Sequence, residues 1–488
     1  MSAFGDKLRL YIGKSGESVY QLAKRSGVER TSIHKAMSGS RILNQDGFDR
    51  LIELLKLTPA EKQDLADSYE IAKQGEDVYH RRRKIAAMLN SLAALPSREF
   101  NTPVAGFKVD MGSRSFGQIE LIRGKYEIYN LMRTAVLEEI SDQDAPTVCT
   151  NIRFSDQFMA DTTSLIYMST GGKLTIKHIL RFARHSDFAS GNYNMDRLSE
   201  VLPMVLYVGD GYKPYYFYGD YDSANDITLL APYYIITRKR VITVSADYQR
   251  AAAFSNPEIV RLCQESFDMS IKRCQPLISC LSNSIEAINY QKEYESCINQ
   301  PVYKFEALPC LAMFFSSPLI NRKIRPDAPN REELVRSMCT RCEAIRAVPS
   351  MNIMFFSEYG INYFTDTGML FDVPPDIVLP FTAQERLKLL QELKRSVDCG
   401  NNKAVAVNPE RLNISNRISI SCCETGGILF SGYNGESGSY VILLLKEEDI
   451  VKSISDFMAY LPQSDLVLNP HQSAAIIDGC IKRLKSTL

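Results

Sequence analysis

Two cysteine pairs are the first residues whose spacing suggests chemistry. Cys339-Thr340-Arg341-Cys342 is a Cys-x-x-Cys, and Cys422-Cys423 is an adjacent pair. One Cys-x-x-Cys supplies half of a tetrahedral zinc site, so the second pair would have to complete it. The first pair falls inside a helical pattern, where thiols serve as small apolar core groups; a redox sensor is the alternative. Gly171-Gly172-Lys173-Leu174 lacks the Gly-x4-Gly-Lys-Ser/Thr frame that cradles phosphate. Gly209-Asp210-Gly211 and Gly432, Gly435 and Gly438 read as turns between strands. Tyr212, Tyr215, Tyr216, Tyr218 and Tyr221 crowd together beside Lys213 and Asp220. They form either cross-strand packing or the wall of a pocket for a small-molecule or peptide effector. None of these sets makes a catalytic constellation, so neither an enzyme, a cofactor nor a metal is expected from them.

A different kind of chemistry is carried by Ser18 to Arg41, SVYQLAKRSGVERTSIHKAMSGSR. Ser18 is a good N-cap. Leu22 and Ala23 sit where a short helix faces a core, and Gly27 can take the left-handed backbone of a tight turn. Val28 plugs that turn. A second helix is predicted from about Glu29 to Met37, with Ile33 on its buried side and Gly39 ending it. Two short helices joined by such a turn make a helix-turn-helix unit, whose second helix enters the major groove of DNA; a small helical interaction module is the alternative.

In these residues the chain resembles the lambda-repressor-like (XRE) family over roughly residues 4–70. Leu22, Ala23, Gly27, Val28, Arg30, Ser32, Ile33 and Gly39 fall on that pattern. Val19 replaces a frequent Gln, Ala36-Met37 a frequent Trp-Glu, and Ser38 a frequent Asn; these departures bear on the usual phosphate contacts. The resemblance implies double-stranded DNA as partner. It puts Arg30, Thr31 and Lys35 at base-reading positions, Arg30 suiting bidentate contact with guanine. It puts Ser18, His34, Ser38, Ser40 and Arg41 near phosphates, where contacts position without specifying. It also implies a homodimer on two half-sites, and a repressor or other transcription regulator.

The elements around this segment agree. Phe4, Leu8, Leu10 and Tyr11 are expected to supply the core face of a preceding helix. Phe48, Leu51, Ile52, Leu54 and Leu55 supply a following one. Thr58-Pro59-Ala60-Glu61 is a capping box opening a further helix to about Lys73, broken at Gly75. In residues 76–95, Ile85, Met88, Leu89, Leu92 and Leu95 recur at helical spacing beside the basic run Arg81-Arg82-Arg83-Lys84. That run is either a solvated face or a reach toward phosphates. The apolar stripe serves either a second chain or the body of its own.

The remaining residues suggest a repeated pattern of helix, strand, helix, more strands and helix. Asn151-Ile152-Arg153-Phe154-Ser155-Asp156 can be laid beside Asn352 to Glu358, and helices near 119–140 and 330–347 precede them. Tyr233–Thr237 and Val241–Ser245 read as a hairpin, followed by a helix capped by Asn256. Ile418–Ser421, Ile428–Phe430 and Tyr440–Leu445 read as strands, followed by a helix from about Glu447. A duplicated body of this kind is similar to phospholipase-D-like architecture, which needs His-x-Lys twice. None of His34, His80, His178, His185 and His471 has Lys two positions later.

The expected fold is therefore multidomain: an all-α helix-turn-helix head at 1–75, a connector helix at 76–100, and a duplicated α/β or α+β body. Its halves are expected at 101–300 and 301–488, as a sensing or dimerisation body. An enzyme or a defence-related scaffold with an appended DNA-binding head is the alternative. Composition allows this: 488 residues, 45% apolar and 23% charged, support several packed domains. Residues 1–95 hold 16 Lys/Arg against 12 Asp/Glu, while the whole chain is neutral. The absence of a secretory segment, and of a run of about 18 apolar residues, leads us to expect a cytoplasmic protein with free thiols and no membrane partner.

Overall fold

The computed structural model describes residues 3–94, 118–142, 144–153, 174–183, 190–208, 211–219, 232–281, 284–296, 301–347, 352–371, 373, 377–434 and 439–488. The chain divides into two compact units, Met1–Lys84 and Ile85–Leu488. Among the described residues no helix is long and apolar enough to cross a membrane.

The first unit is helical: α1 (Ala3–Ser15), α2 (Val19–Ser26), α3 (Arg30–Met37), α4 (Gln45–Leu54), α5 (Pro59–Gln74) and the start of α6 (Glu76–Ala93). Its core gathers Phe4, Leu8, Leu22, Ile33, Phe48, Leu51 and Tyr69. Phe48 and Tyr69 stack with centroids 3.9 Å apart, and the Tyr69 hydroxyl donates to the Leu43 carbonyl at 2.9 Å. Leu10, expected in this core, is 54% exposed. Two residues beyond Leu8, it lies on the opposite side of the helix. Thr58 and Glu61 make the capping box read from the sequence.

The second unit is a mixed α/β body with two sheets. The first runs in the order β1 (Ile119–Arg123), β7 (Arg250–Phe254), β6 (Val241–Val244), β5 (Tyr233–Ile236), β2 (Thr147–Thr150), β3 (Thr175–Phe182), β4 (Tyr212–Tyr218) and β8 (Gln275–Pro276). The second runs β9 (Ile278–Leu281), β15 (Ser439–Leu445), β14 (Gly427–Asn434), β13 (Ile418–Cys423), β10 (Val302–Phe305), β11 (Asn352–Phe356) and β12 (Lys403–Ala406). Apart from β8, which has no counterpart in the second sheet, the orders match strand for strand. In both, the first four neighbouring pairs are antiparallel and the next two parallel; in the first sheet β8 adds one more antiparallel pair, to β4. In each a helix follows the first strand: α7 (Lys125–Asp142) and, in chain order, α10 (Ser284–Ser296). In each another follows the second strand of that order, β7 and β15: α9 (Pro257–Ile271) and α15 (Glu448–Tyr460). The parallel strands of the first sheet are bridged by α8 (Ser190–Val208). Those of the second are bridged by α11 (Ser317–Lys323), α12 (Arg331–Ala347), α13 (Glu358–Thr367) and α14 (Ala383–Asp398), and α16 (Pro470–Thr487) ends the chain.

This register corrects the sequence reading in two places. Residues 119–123 are strand, not the start of a helix. The partner of β2 in the strand order is β10, not β11, so the segment at Asn151 does not correspond to the one at Asn352. The second sheet also takes its first strand from 278–281, upstream of the expected boundary at 300/301. The apolar stripe of α6 is settled as well: Ile85, Met88, Leu89 and Leu92 are buried in the core of the body, and Leu95 lies outside the described residues. That stripe is used within the chain and does not face a second one.

Candidate nucleic-acid interface

Ser18 caps α2: its hydroxyl accepts from the Gln21 N–H, while the Gln21 side chain accepts from the Ser18 N–H at 3.0 Å. Gly27 ends α2 at φ 68, with its N–H on the Ala23 carbonyl, a backbone state that glycine adopts without Cβ strain. Val28, 9% exposed, fills the turn, and its N–H donates to the Ser26 hydroxyl at 3.2 Å. Three residues therefore separate α2 from α3. Ile33 and Ala36 bury one side of α3 completely. Helical periodicity then turns the other side outward: Arg30, Thr31, His34 and Lys35 are all exposed.

The C-terminus of α3 is closed by its own flank. The Ser38 and Ser40 hydroxyls both donate to the Lys35 carbonyl, at 3.0 and 3.2 Å, and lie 2.9 Å from each other. These two hydroxyls, like that of Ser18, hold helix ends; what they retain for a ligand is acceptor capacity. Arg41 follows them, exposed. Two residues missed in the sequence fix α3 from behind. The Arg9 guanidinium donates to the Met37 carbonyl at 2.8 Å. Gly5 lets α1 approach so closely that a Cβ there would stand 2.8 Å from the Met37 carbonyl oxygen and 2.9 Å from that of Ala36. Neither has a local sequence signal, because each acts across more than 25 residues.

The charge pattern gathers most of the unit's exposed cations without ion pairs on this face, Lys56 apart. Lys7 pairs with Asp64, Lys14 with Glu61, Arg25 with Glu17, Arg50 with Asp46 and Lys62 with Glu53. Among the described residues no ion pair joins Lys24, Arg30, Lys35 or Arg41, and all four are exposed. Unneutralised cations on an exposed helix and its flanks form a field that attracts polyanions. Lys24 is the member the sequence reading left out. The basic run on α6 behaves differently: Arg82 donates to Gln74 at 2.8 Å, and Arg83 pairs with Asp67 at 3.2 Å. Those two guanidinium groups tie α6 to α5.

The body's sequence candidates lie elsewhere and do not assemble. Cys339 and Cys342 sit on α12 and Cys422 and Cys423 on β13. Burial pushes the Cys342 thiol up to about 11 and that of Cys422 up to about 12, so both stay protonated. His178 on β3 is buried, with Nδ1 2.7 Å from the Tyr212 hydroxyl. Burial, and then the charge of Arg197, bring its imidazole down to about 3, a neutral ring at ordinary pH. Tyr216 donates to Gln275 and Tyr218 to Glu447, each at 2.8 Å. The hydroxyls of Tyr216 and Tyr218 therefore tie parts of the body together. Tyr221, Asp220, Gly171-Gly172-Lys173 and His185 lie outside the described residues.

A set the sequence did not suggest does assemble, on the second sheet. Glu295 on α10 accepts from Lys304 on β10 at 3.0 Å and from Arg341 on α12 at 2.9 and 3.1 Å. Arg341 is the residue inside the Cys-x-x-Cys. The two cations hold the buried Glu295 carboxyl down at about 2, against the opposing effect of burial.

No protein-family model matches the chain, and no curated protein does. Two solved structures align weakly. TrmBL2, an archaeal chromatin protein described as having a novel mode of DNA binding, is 12% identical over 56% of this chain and 100% of its own, with a TM-score of 0.22. The phosphatidylserine synthase of Haemophilus influenzae Rd KW20 is 10% identical over 76% of this chain and 94% of its own, also with a TM-score of 0.22. At that score neither alignment establishes a fold or an activity for this chain.

Proposed function

We propose that the protein is a sequence-reading DNA-binding transcription regulator. Its head is a helix-turn-helix unit of XRE type, with α3 as the recognition helix, and the α/β body receives the signal. The observation that carries this reading is the set of exposed cations without ion-pair partners, Arg30, Lys35, Arg41 and Lys24, clustered on α3 and its flanks, in a unit where most other cations are paired and Lys56 stands apart from the cluster. Arg30 and Thr31 open α3, the end of a recognition helix that meets base edges. Lys35 joins them on the exposed side, and His34, Ser18, Ser38, Ser40 and Arg41 serve the phosphates. Two copies bind successive half-sites. Because the α6 stripe is buried in the body, the dimer contact uses another surface.

The test is binding of the full-length protein to DNA from its own promoter region across a salt series. Arg30→Ala is expected to weaken binding roughly 10- to 100-fold and to relax selectivity at one base position. Arg41→Ala is expected to weaken binding to all sequences alike and to reduce the log–log salt slope by about 1. Equal binding by wild type and Arg30→Ala, with no preference among sequences, removes the regulator reading and leaves a nonspecific tether.

A further inference from the structure

The second sheet carries a polar strip where a core would be expected. Alternation along a strand puts Ser419 and Ser421 of β13 on one face, with Ile418, Ile420 and Cys422 on the other. Ser419 lies directly opposite Ser431 of β14, and Ser421 directly opposite Lys304 of β10. The three serines are 7–9% exposed, and among the described residues none of their hydroxyls has a protein hydrogen-bond partner. The three oxygens are not sealed from solvent, so an unmatched hydroxyl's cost of about 1–3 kcal/mol is met by whatever occupies the space beside them.

They are not facing protein. They border a cavity of about 70 Å³ that opens to solvent, room for roughly five water-sized groups. It lies at the carboxyl end of β10, beside the junction where the parallel strands meet the antiparallel ones. In open α/β sheets such crevices are where ligands bind. Its polar lining includes the three serines, Glu295 and Arg341, with Gln291, Glu306, Ser415, Asn416 and Arg417. Apolar residues line it as well: Leu311, Phe315, Met338, Leu370 and Phe371. The charges are unequal. In the lining Arg341 and Arg417 balance Glu295 and Glu306; Lys304, 2% exposed and paired with Glu295 outside the lining, adds one positive charge in excess.

We infer that this cavity binds a small amphipathic carboxylate, its anionic head among the Ser419, Ser421 and Ser431 hydroxyls and Arg341, its short aliphatic tail on Leu311, Phe315 and Met338. The hydroxyls supply donors that rotate to suit a carboxylate. The Glu295 bridge holds the Arg341 guanidinium in place, and the apolar lining excludes water from the tail. The site is a property of the body alone; only its use as an effector site rests on the regulator reading.

The probe is butyrate, added to the full-length protein labelled with 13C-methyl methionine, with 1-butanol, n-butylamine and chloride at matched ionic strength as controls. A saturable shift of the Met338 methyl is expected with butyrate. Binding should be about tenfold weaker or worse for the alcohol and the amine, and for Ser419→Ala/Ser431→Ala, the worth of a hydrogen bond to a charged group. A thermal melt of the double variant checks that it folds; Ser421→Ala alone is the fallback and predicts a loss in the same direction. Equal binding of butyrate and butylamine overturns the carboxylate assignment, and a Met338 methyl that never shifts overturns the site. Neither outcome touches DNA binding, which is read separately.

Discussion

Glu295→Gln isolates the energetics of the buried bridge. Glu295, Lys304 and Arg341 have side chains 8%, 2% and 13% exposed, so solvent screens the bridge little. In the folded chain the carboxyl lies at about 2, below its ordinary 4.5. A depressed acid stabilises the fold above its unfolded value and loses that contribution as pH falls through the folded value. The difference corresponds to about 3 kcal/mol at pH 7, in line with the roughly 3–5 kcal/mol for breaking a buried pair from one side. At about pH 3 the unfolded carboxyl is almost wholly protonated while the folded one still ionises, and the same relation leaves about 1 kcal/mol. The neutral glutamine mimics the protonated acid. The gap between wild type and variant should therefore shrink from about 3 to about 1 kcal/mol between pH 7 and pH 3. The chain has no tryptophan, so urea unfolding of the body is followed by tyrosine fluorescence and far-UV circular dichroism. A loss well under about 1 kcal/mol at pH 7, or a gap that does not change with pH, refutes the reasoning.

Two glycines provide further tests. Gly5→Ala drives a methyl to within 3 Å of two carbonyl oxygens of α3; it should destabilise the first unit by about 1–3 kcal/mol and weaken DNA binding, read by thermal melting and by titration with promoter DNA. Gly360 lies on α13, where a Cβ would stand 1.9 Å from the Ala307 carbonyl oxygen. Gly360→Ala should destabilise the body by about 3 kcal/mol or more and weaken butyrate binding, because Ala307 borders the cavity; an unchanged melting temperature would count against the described packing.

Local signals in the sequence were read well. Ser18, Gly27, Thr58 and Asn256 act on backbone within four residues of themselves, and the structure puts caps and a left-handed turn where they stand. The hairpin at Tyr233–Ser245 was equally clear, since its two strands pair with each other. What escaped was set at long range. Residues 119–123 look helical because Ile119 and Ile122 are three apart, yet the pairing partner that makes them a strand is β7, more than a hundred residues away. The equivalence of β2 with β10 is a matter of sheet neighbours, and Asn-Ile in both Asn151-Ile152 and Asn352-Ile353 is a coincidence of composition. The serine strip was invisible for a similar reason. Ser419 and Ser421 alternate with apolar residues as on any half-exposed strand, and only α10 and α12 above them turn that face into a cavity wall. In the first unit, Arg30, Lys35 and Arg41 are legible from pattern. That they lack acidic partners, and that Lys24 joins them, depends on the positions of the carboxylates on the other helices.

The join between β8 and β9 has a practical consequence. Leu277 alone separates the last strand of one sheet from the first strand of the other, and residues of both sheets share one core. Dissecting the body into separately expressed halves at 300/301 would leave the edge strand and first helix of the second sheet on the wrong fragment. A cut at 277 gives each fragment its full complement of strands, but still exposes apolar surface that each now covers for the other. The two fragments are thus expected to be insoluble alone and to recover when co-expressed, behaving as halves of one folding unit.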